Sequence, residues 1–264
     1  MFIRFCLLNC IFLICAQIGF ADEGYVSIKA SFSPNHQVEI LLQKSQSDTQ
    51  KVLVFLHGAK EQGLASISRE YFDFWHEKGY SIAAISMPGY GLSTGERDFC
   101  GSFTLDSLNL ALDRVKKEVN ASEVAIMGFG QGALAAVLLS TEREDLRCVV
   151  SCNGAYDLNR HCDFLSKVIE RDGYNFDLQR EGELIVRSPI CHIRKISTAI
   201  LLLHRRGNPI VNEQEVVDFY DAMIGHEKEC EIVLKDRAPG DDEQKFSIDE
   251  ILLASETWID DHMQ

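Results

Sequence analysis

Several stretches of the chain are short, continuous and apolar: Lys51–Leu56, Ser81–Ser86, Val124–Met127, Cys148–Ser151, Ile200–His204 and Ile232–Leu234. Runs of this length without polar alternation are what parallel strands covered on both faces require. Upstream, Tyr25–Ala30 and His36–Gln43 alternate apolar and polar residues about Ser33-Pro34-Asn35, which predicts an antiparallel hairpin. Helical spacing appears between the strands. Leu105, Leu108, Leu112, Val115 and Val119 repeat behind Thr104, a good N-cap residue. Val216, Val217, Tyr220 and Met223 follow an Asn212/Glu215 box and stop at Gly225, and Ile248, Ile251, Leu252, Ser255 and Ile259 follow a Ser247/Glu250 box. The alternation predicts one α/β domain over residues 22–264, with a mostly parallel sheet, an N-terminal antiparallel hairpin and helices on both faces. Residues 156–195 break the rhythm, mixing charge, aromatics and glycine without a clean period. Such a segment leaving the C-terminal end of a strand predicts a cap or lid over the ligand crevice of an open sheet.

The first residues obey other rules. Arg4 precedes an apolar run, Cys6–Phe20, broken only by Asn9 and Gln17, and Ala21 stands before Asp22-Glu23. A basic start, an apolar stretch and a small residue at its end predict a secretory signal over residues 1–21, cut after Ala21 or Ala16. The run is too short for the roughly 20 residues of a bilayer span, so no stable membrane span is expected after cleavage. The protein is expected to be exported, either periplasmic or secreted. Of nine cysteines, Cys6, Cys10 and Cys15 fall in this segment, leaving Cys100, Cys148, Cys152, Cys162, Cys191 and Cys230. An even number behind an export signal predicts some disulfides, with Cys162 and Cys191, which bracket the irregular insertion, as the favoured pair. Lys+Arg 26 against Asp+Glu 40 gives a formal charge of −14, so nucleic acid is not an expected partner.

Three segments carry candidate chemistry, each at the end of an expected strand: Phe55-Leu56-His57-Gly58-Ala59, Met87-Pro88-Gly89-Tyr90-Gly91-Leu92-Ser93, and Ile126-Met127-Gly128-Phe129-Gly130-Gln131-Gly132-Ala133. In order and spacing they resemble the α/β-hydrolase superfamily, most closely the dienelactone-hydrolase and prolyl-oligopeptidase-like serine hydrolases, over roughly Tyr25 to His262. The resemblance implies an oxyanion hole built from the backbone N–H groups of Ala59 and Gln131, where a tetrahedral intermediate would place its charge. It also implies a pocket lined by His57, Gly58, Tyr90 and Phe129. No cofactor or metal is implied, since His57 and His204 make no ligand spacing with cysteine or each other.

The resemblance places the nucleophile in the middle of Gly-x-Ser-x-Gly, and here that position is Gly130, which has no atom that can attack. The favoured acid position holds Asn208 in Arg206-Gly207-Asn208-Pro209; some members of the family take the acid from an earlier loop, where Asp157 is available. At the base position the chain reads Pro239-Gly240-Asp241-Asp242, with no histidine between His226 and His262. Two function classes follow. One is a pseudo-hydrolase that binds a small ligand or a protein partner; the other is an esterase or peptidase using displaced residues, with Ser93, Ser151 and Cys152 as candidate nucleophiles.

Overall fold

A computed structural model describes residues 25–33, 35–47, 50–59, 62–180, 182–236 and 246–264. The expected export segment and Asp241 lie outside the described residues. The hairpin strands are β1 (Tyr25–Ser33) and β2 (His36–Gln43), followed by β3 (Val52–Leu56), α1 (Arg69–Glu77), β4 (Ser81–Ile85) and α2 (Ser102–Val119). The chain continues with β5 (Val124–Phe129), α3 (Gln131–Leu139) and β6 (Leu146–Cys152). After the insertion come β7 (Ala199–Arg205), a helix at Glu213–Gly225, β8 (Cys230–Lys235) and a last helix at Ile248–His262. The strands form one eight-stranded sheet in the order β1-β2-β4-β3-β5-β6-β7-β8. β1 pairs antiparallel with β2 and β2 with β4; every other pairing is parallel.

The apolar runs are explained by two cores. Successive residues of β3 face opposite sides, Val54 and Leu56 toward α2 and α3, Leu53 and Phe55 toward α1 and the last helix, and all are fully buried. The first core takes Leu105, Leu108, Leu112 and Val115 of α2, the second Phe72 and Trp75 of α1 and Trp258 and Ile259 of the last helix. Burying each such side chain contributes about 1.5–3 kcal/mol relative to exposure, so a polar substitution in any central strand is costly.

The order of connections fixes where a ligand can sit. The chain steps from β3 outward to β4, then returns across β3 to β5, so β3 and β5 are neighbours whose following loops leave in opposite directions. The gap above their C-terminal ends is the crevice of an open α/β sheet. His57-Gly58-Ala59 and Gly130 therefore stand side by side although more than seventy residues separate them in sequence.

Residues 156–195 run between β6 and β7 as a 3-10 turn (Leu158–His161), helices α4 (Cys162–Asp172) and α5 (Glu183–Val186), and a second 3-10 turn (Pro189–Lys195). The later helices are accordingly α6 (Glu213–Gly225) and α7 (Ile248–His262). Leu158, Leu165, Val168, Tyr174 and Ile193 turn inward and join the first core. Polar groups fasten the far end. The buried Arg187 guanidinium donates to the Asp98 carbonyl at 3.0 Å, ion-pairs with Glu183 and lies 4.7 Å from the Phe176 ring, while the Asn175 N–H donates to the Arg97 carbonyl at 2.6 Å.

Three expectations need correction. The six cysteines of the described residues are free thiols. Cys162 is bound into the first turn of α4, where its thiol donates to the Asn159 carbonyl, and Cys191 belongs to the separate 3-10 turn before β7. Thr104 is not an N-cap: α2 starts at Ser102, and the Asp98 carboxylate accepts from the Phe103 and Thr104 N–H groups at 3.0 and 3.2 Å. Asn212 does cap α6 by accepting from the Glu215 N–H, but the Glu215 side chain turns into the protein instead of returning to Asn212.

Candidate active site

Gly130 is the single residue between β5 and α3, with φ +54° and ψ −110°. Its N–H donates to the Cys152 carbonyl at 2.8 Å and its carbonyl accepts from the Leu134 N–H at 3.1 Å, so the turn is held from both sides. The flanking glycines are required by packing. A Cβ on Gly128 would overlap the Gly132 carbonyl, and one on Gly132 would overlap the Leu56 and His57 carbonyls. At the apex the situation reverses: a Cβ on Gly130 would meet nothing nearer than the Gly58 Cα, 3.9 Å away. The turn has the shape that holds a side chain out into the crevice, and no side chain is there.

The opposite wall comes from the loop after β3. His57 is fully buried, its Nε2 accepting from the Met87 N–H at 2.9 Å and its Nδ1–H donating to the Gly58 carbonyl at 2.6 Å. An amide N–H can only donate, so this pair of bonds fixes the neutral ring with its proton on Nδ1. Burial lowers its pKa to about 4 against the stabilising Gly58 bond, in keeping with that assignment. His57 is thus a latch between β3 and the turn after β4. Among the described residues neither the Ala59 nor the Gln131 N–H donates to a protein acceptor.

Gln131 is anchored from behind. Its Oε1 accepts from the Tyr90 hydroxyl at 2.8 Å and the Tyr174 hydroxyl at 3.1 Å, and the two hydroxyls lie 2.5 Å apart. Burial raises both phenol pKa values, and the Arg97 guanidinium sits 4.3 Å from the Tyr90 ring centre. This network corrects the expectation for Tyr90, which lies behind the wall because its hydroxyl is drawn to Gln131. His57, Gly58 and Phe129 do line the crevice.

The crevice is a cavity of about 610 Å³. Its walls are mostly apolar: Ile67 and Tyr71 near α1, Leu158, Phe164 and Leu165 from the insertion, Pro209 and Ile210 after β7, and Ile248 and Ile251 of α7. Asn208 also lines it, with its Oδ1 accepting from the Ile210 and Val211 N–H groups at 2.9 and 3.2 Å. Asp157 does not; it caps the 3-10 turn after it, accepting from the Asn159 N–H at 3.2 Å and pairing with Arg160.

The candidate displaced nucleophiles separate cleanly. The Ser93 hydroxyl accepts from the Glu39 N–H and donates to the Ser86 carbonyl, tying β2 to the end of β4, and Ser151 lies 2.7 Å from the Tyr156 hydroxyl. Neither reaches the cavity. Cys152 does, and burial raises its thiol pKa far from the range in which a thiolate forms. His204 is buried on β7 with a lowered pKa, off the cavity wall, and His262 pairs with Glu229 outside the cavity.

One arrangement has no counterpart in the sequence reading. Glu215, 1% exposed, accepts from the Tyr156 and Asp157 N–H groups at 2.6 and 3.0 Å through Oε1, and its Oε2 lies 2.6 Å from His161 Nε2. His161 and Tyr71 both line the cavity. A spacing of 54 residues carries no local pattern, and Glu215 at the third position of a helix resembles an ordinary cap partner.

A profile of the family described as serine aminopeptidase, S33, matches residues 47–179, half of the chain. The chain belongs to this family of α/β-hydrolases. An esterase of Pyrococcus furiosus is similar in structure with a TM-score of 0.68 at 17% identity, covering 94% of this chain and 91% of that one. An esterase of the planctomycete Thermogutta terrifontis, with propionate bound, gives 0.69 at 16%, covering 90% and 94%. The Pyrococcus horikoshii acylaminoacyl peptidase gives 0.73 at 17%, covering 92% of this chain but 43% of the peptidase. At these identities the structural neighbours establish the α/β-hydrolase fold alone. No curated sequence matches significantly. On the hydrolase scaffold, the strand-to-helix turn and both unpartnered amides are present, while the apex of the turn is Gly130.

Proposed function

We propose that this α/β-hydrolase-fold protein is a pseudo-hydrolase that holds a ligand in the cavity and does not turn over esters or peptides by a Ser-His-Asp route. The observation that carries this reading is the apex itself, where Gly130 keeps the elbow backbone, leaves room for a side chain and supplies none. Amides at Ala59 and Gln131 can hold a carbonyl or carboxyl oxygen by hydrogen bonding. Without an attacking atom, however, that polarisation leads to no covalent step. Asn208 contributes no negative charge to an imidazolium, and its Oδ1 is already occupied by two N–H groups of its own loop. Loss of the acid alone lowers turnover by about 10⁴ in a complete triad, and triad members act as a unit.

The reading is tested with purified wild-type protein, a short-chain nitrophenyl ester and a fluorophosphonate label. No labelling and no turnover above the buffer blank are expected. Turnover that survives repurification and disappears in Cys152→Ala would instead establish an active site built on that thiol. Export is part of the same proposal: the intact mass of the mature protein should lack residues 1–21 or 1–16, and an uncut mass rejects it.

A further inference from the structure

We propose that the protein pairs with a second copy of itself through β8, edge to edge, the two strands running antiparallel about a two-fold axis at Val233. This surface lies at the far edge of the sheet from the hairpin and is independent of the cavity.

Among the described residues β8 has only β7 beside it in the sheet. The Ile200 N–H donates to the Glu229 carbonyl at 3.1 Å and the Arg206 N–H to the Lys235 carbonyl at 2.9 Å, so the odd-numbered residues of β8 turn their backbone groups to β7. The N–H and carbonyl groups of Cys230, Ile232 and Leu234 therefore point outward along the open edge. Sheets usually blunt such an edge with polar or charged side chains. At the other end β1 does so with Ser27, Lys29 and Ser31, whereas β8 carries Ile232, Val233 and Leu234 at its centre, all half-buried. Helix α6 widens the apolar strip. Its Val216, Phe219 and Met223 enter the first core, and its Glu215 and Asp218 face the insertion through His161 and Arg160. At about 3.6 residues per turn, Val217, Tyr220 and Ile224 then lie on the opposite flank, beside the open edge, with Ile224 47% exposed.

The order of residues along β8 is self-complementary. With Val233 on the axis, Ile232 exchanges backbone hydrogen bonds with the partner's Leu234, Val233 meets the partner's Val233, and Glu231 stands opposite the partner's Lys235. Opposite charges directly across an antiparallel pair are favourable, and like charges there are not. Glu231 forms no ion pair among the described residues, and Lys235 is held only by Glu250 at 3.9 Å, so the cross-strand pair displaces little. Centring the axis on Ile232 sets Glu231 against Val233, and centring it on Leu234 sets Lys235 against Val233. Each of these registers leaves a charge against an apolar side chain. The axis at Val233 also brings α6 next to the partner's α6, so the Val217, Tyr220 and Ile224 stripes of both copies leave water together.

Sedimentation equilibrium of the purified protein should give a dimer at micromolar concentration. Glu231→Lys should raise its dissociation constant at least about tenfold, and Glu231→Lys with Lys235→Glu should restore it. Ile232→Pro removes an N–H that faces away from β7, so it should keep the fold, followed by circular dichroism, and abolish the dimer. Cross-linking reads the register. Under mild oxidation Val233→Cys should join two copies through that cysteine, located by peptide mapping, because it faces itself across the axis; Leu234→Cys, which faces the partner's Ile232, should not. A monomer at these concentrations, a dimer that survives either Glu231→Lys or a folded Ile232→Pro, or failure of the charge-exchanged variant to dimerise overturns the proposal. A dimer whose Val233→Cys form does not cross-link overturns the axis at Val233.

Discussion

Glu215→Ala removes the acceptor for three buried donors at once. In the native protein Oε1 holds the Tyr156 and Asp157 N–H groups at 2.6 and 3.0 Å, and Oε2 holds His161 Nε2 at 2.6 Å. With residue 215 only 1% exposed, water does not replace them without local opening. Each stranded buried donor costs about 1–3 kcal/mol; local relaxation makes the total less than the sum, so a loss of about 3–5 kcal/mol is expected. That is a large part of the roughly 5–15 kcal/mol by which a domain is ordinarily stable. Glu215→Gln should cost only about 1–2 kcal/mol. Its amide oxygen still accepts from the two backbone N–H groups, and the imidazole can shift its proton to Nδ1 and accept from the new NH₂ at Nε2. Urea denaturation gives both free energies, and amide exchange at Tyr156 and Asp157 reports whether the loss starts at the base of the insertion. A Glu215→Ala cost below about 1 kcal/mol, or equal costs for Ala and Gln, would refute the view that this carboxylate organises the segment.

The other expectations concern the elbow, the latch and the thiols. Gly130→Ser should fold with a cost of about 1–2 kcal/mol from its positive φ, whereas Gly128→Ala and Gly132→Ala should fail to accumulate as folded protein; thermal melts compare them. Gly130→Ser alone should remain inactive on nitrophenyl esters, and Gly130→Ser with Asn208→Asp and Asp241→His is the combination in which turnover is expected. His57 has a folded pKa of about 4 against an ordinary 6.5, so the unfolded chain takes up the proton first as pH falls. His57 should therefore contribute a loss of roughly 3 kcal/mol between about pH 6.5 and pH 4, and His57→Gln should remove that share while the smaller acid-side loss from buried His204 persists; denaturation midpoints across this window are the measurement. Iodoacetamide with peptide mapping should label Cys162 and Cys191 in the native protein and Cys100, Cys148, Cys152 and Cys230 only after unfolding.

What could be read from the sequence follows from how local each cause is. The central strands were legible because burial on both faces writes an uninterrupted apolar run, as in Val52–Leu56. Their ends were less so. β5 continues through Gly128 and Phe129 because the ladder to Ser151 and Cys152 continues, a property of the neighbour and not of the residues themselves. Helix α1 was missed: Tyr71, Phe72, Phe74 and Trp75 are weak helix formers, and what makes Arg69–Glu77 helical is the second core together with the Ser68 cap. The elbow was visible as a motif because both flanking positions need glycine in a short stretch of chain, although only the Gly128 contact, to Gly132 and Ala133, is local, and Gly132 answers to the distant Leu56 and His57 carbonyls. The His161–Glu215 pair and the place of Tyr71 on the cavity wall arise from tertiary packing. The disulfide expectation rested on an even count, which speaks of compartment and says nothing about which thiols meet.

The attachment of the insertion has a kinetic consequence. It is fixed at its start by Glu215, in its middle by Tyr174 on Tyr90 and Gln131, and at its end by Arg187 on Asp98. Lifting it breaks buried hydrogen bonds at three separated places in one cooperative event, which is slow compared with the hopping of exposed side chains. A bound molecule is therefore exchanged past Pro209, Ile210 and the start of α7, or it waits for the rare opening. Where the segment has to lift, the residence time of a ligand held as proposed is set by the protein's own dynamics more than by the strength of its contacts.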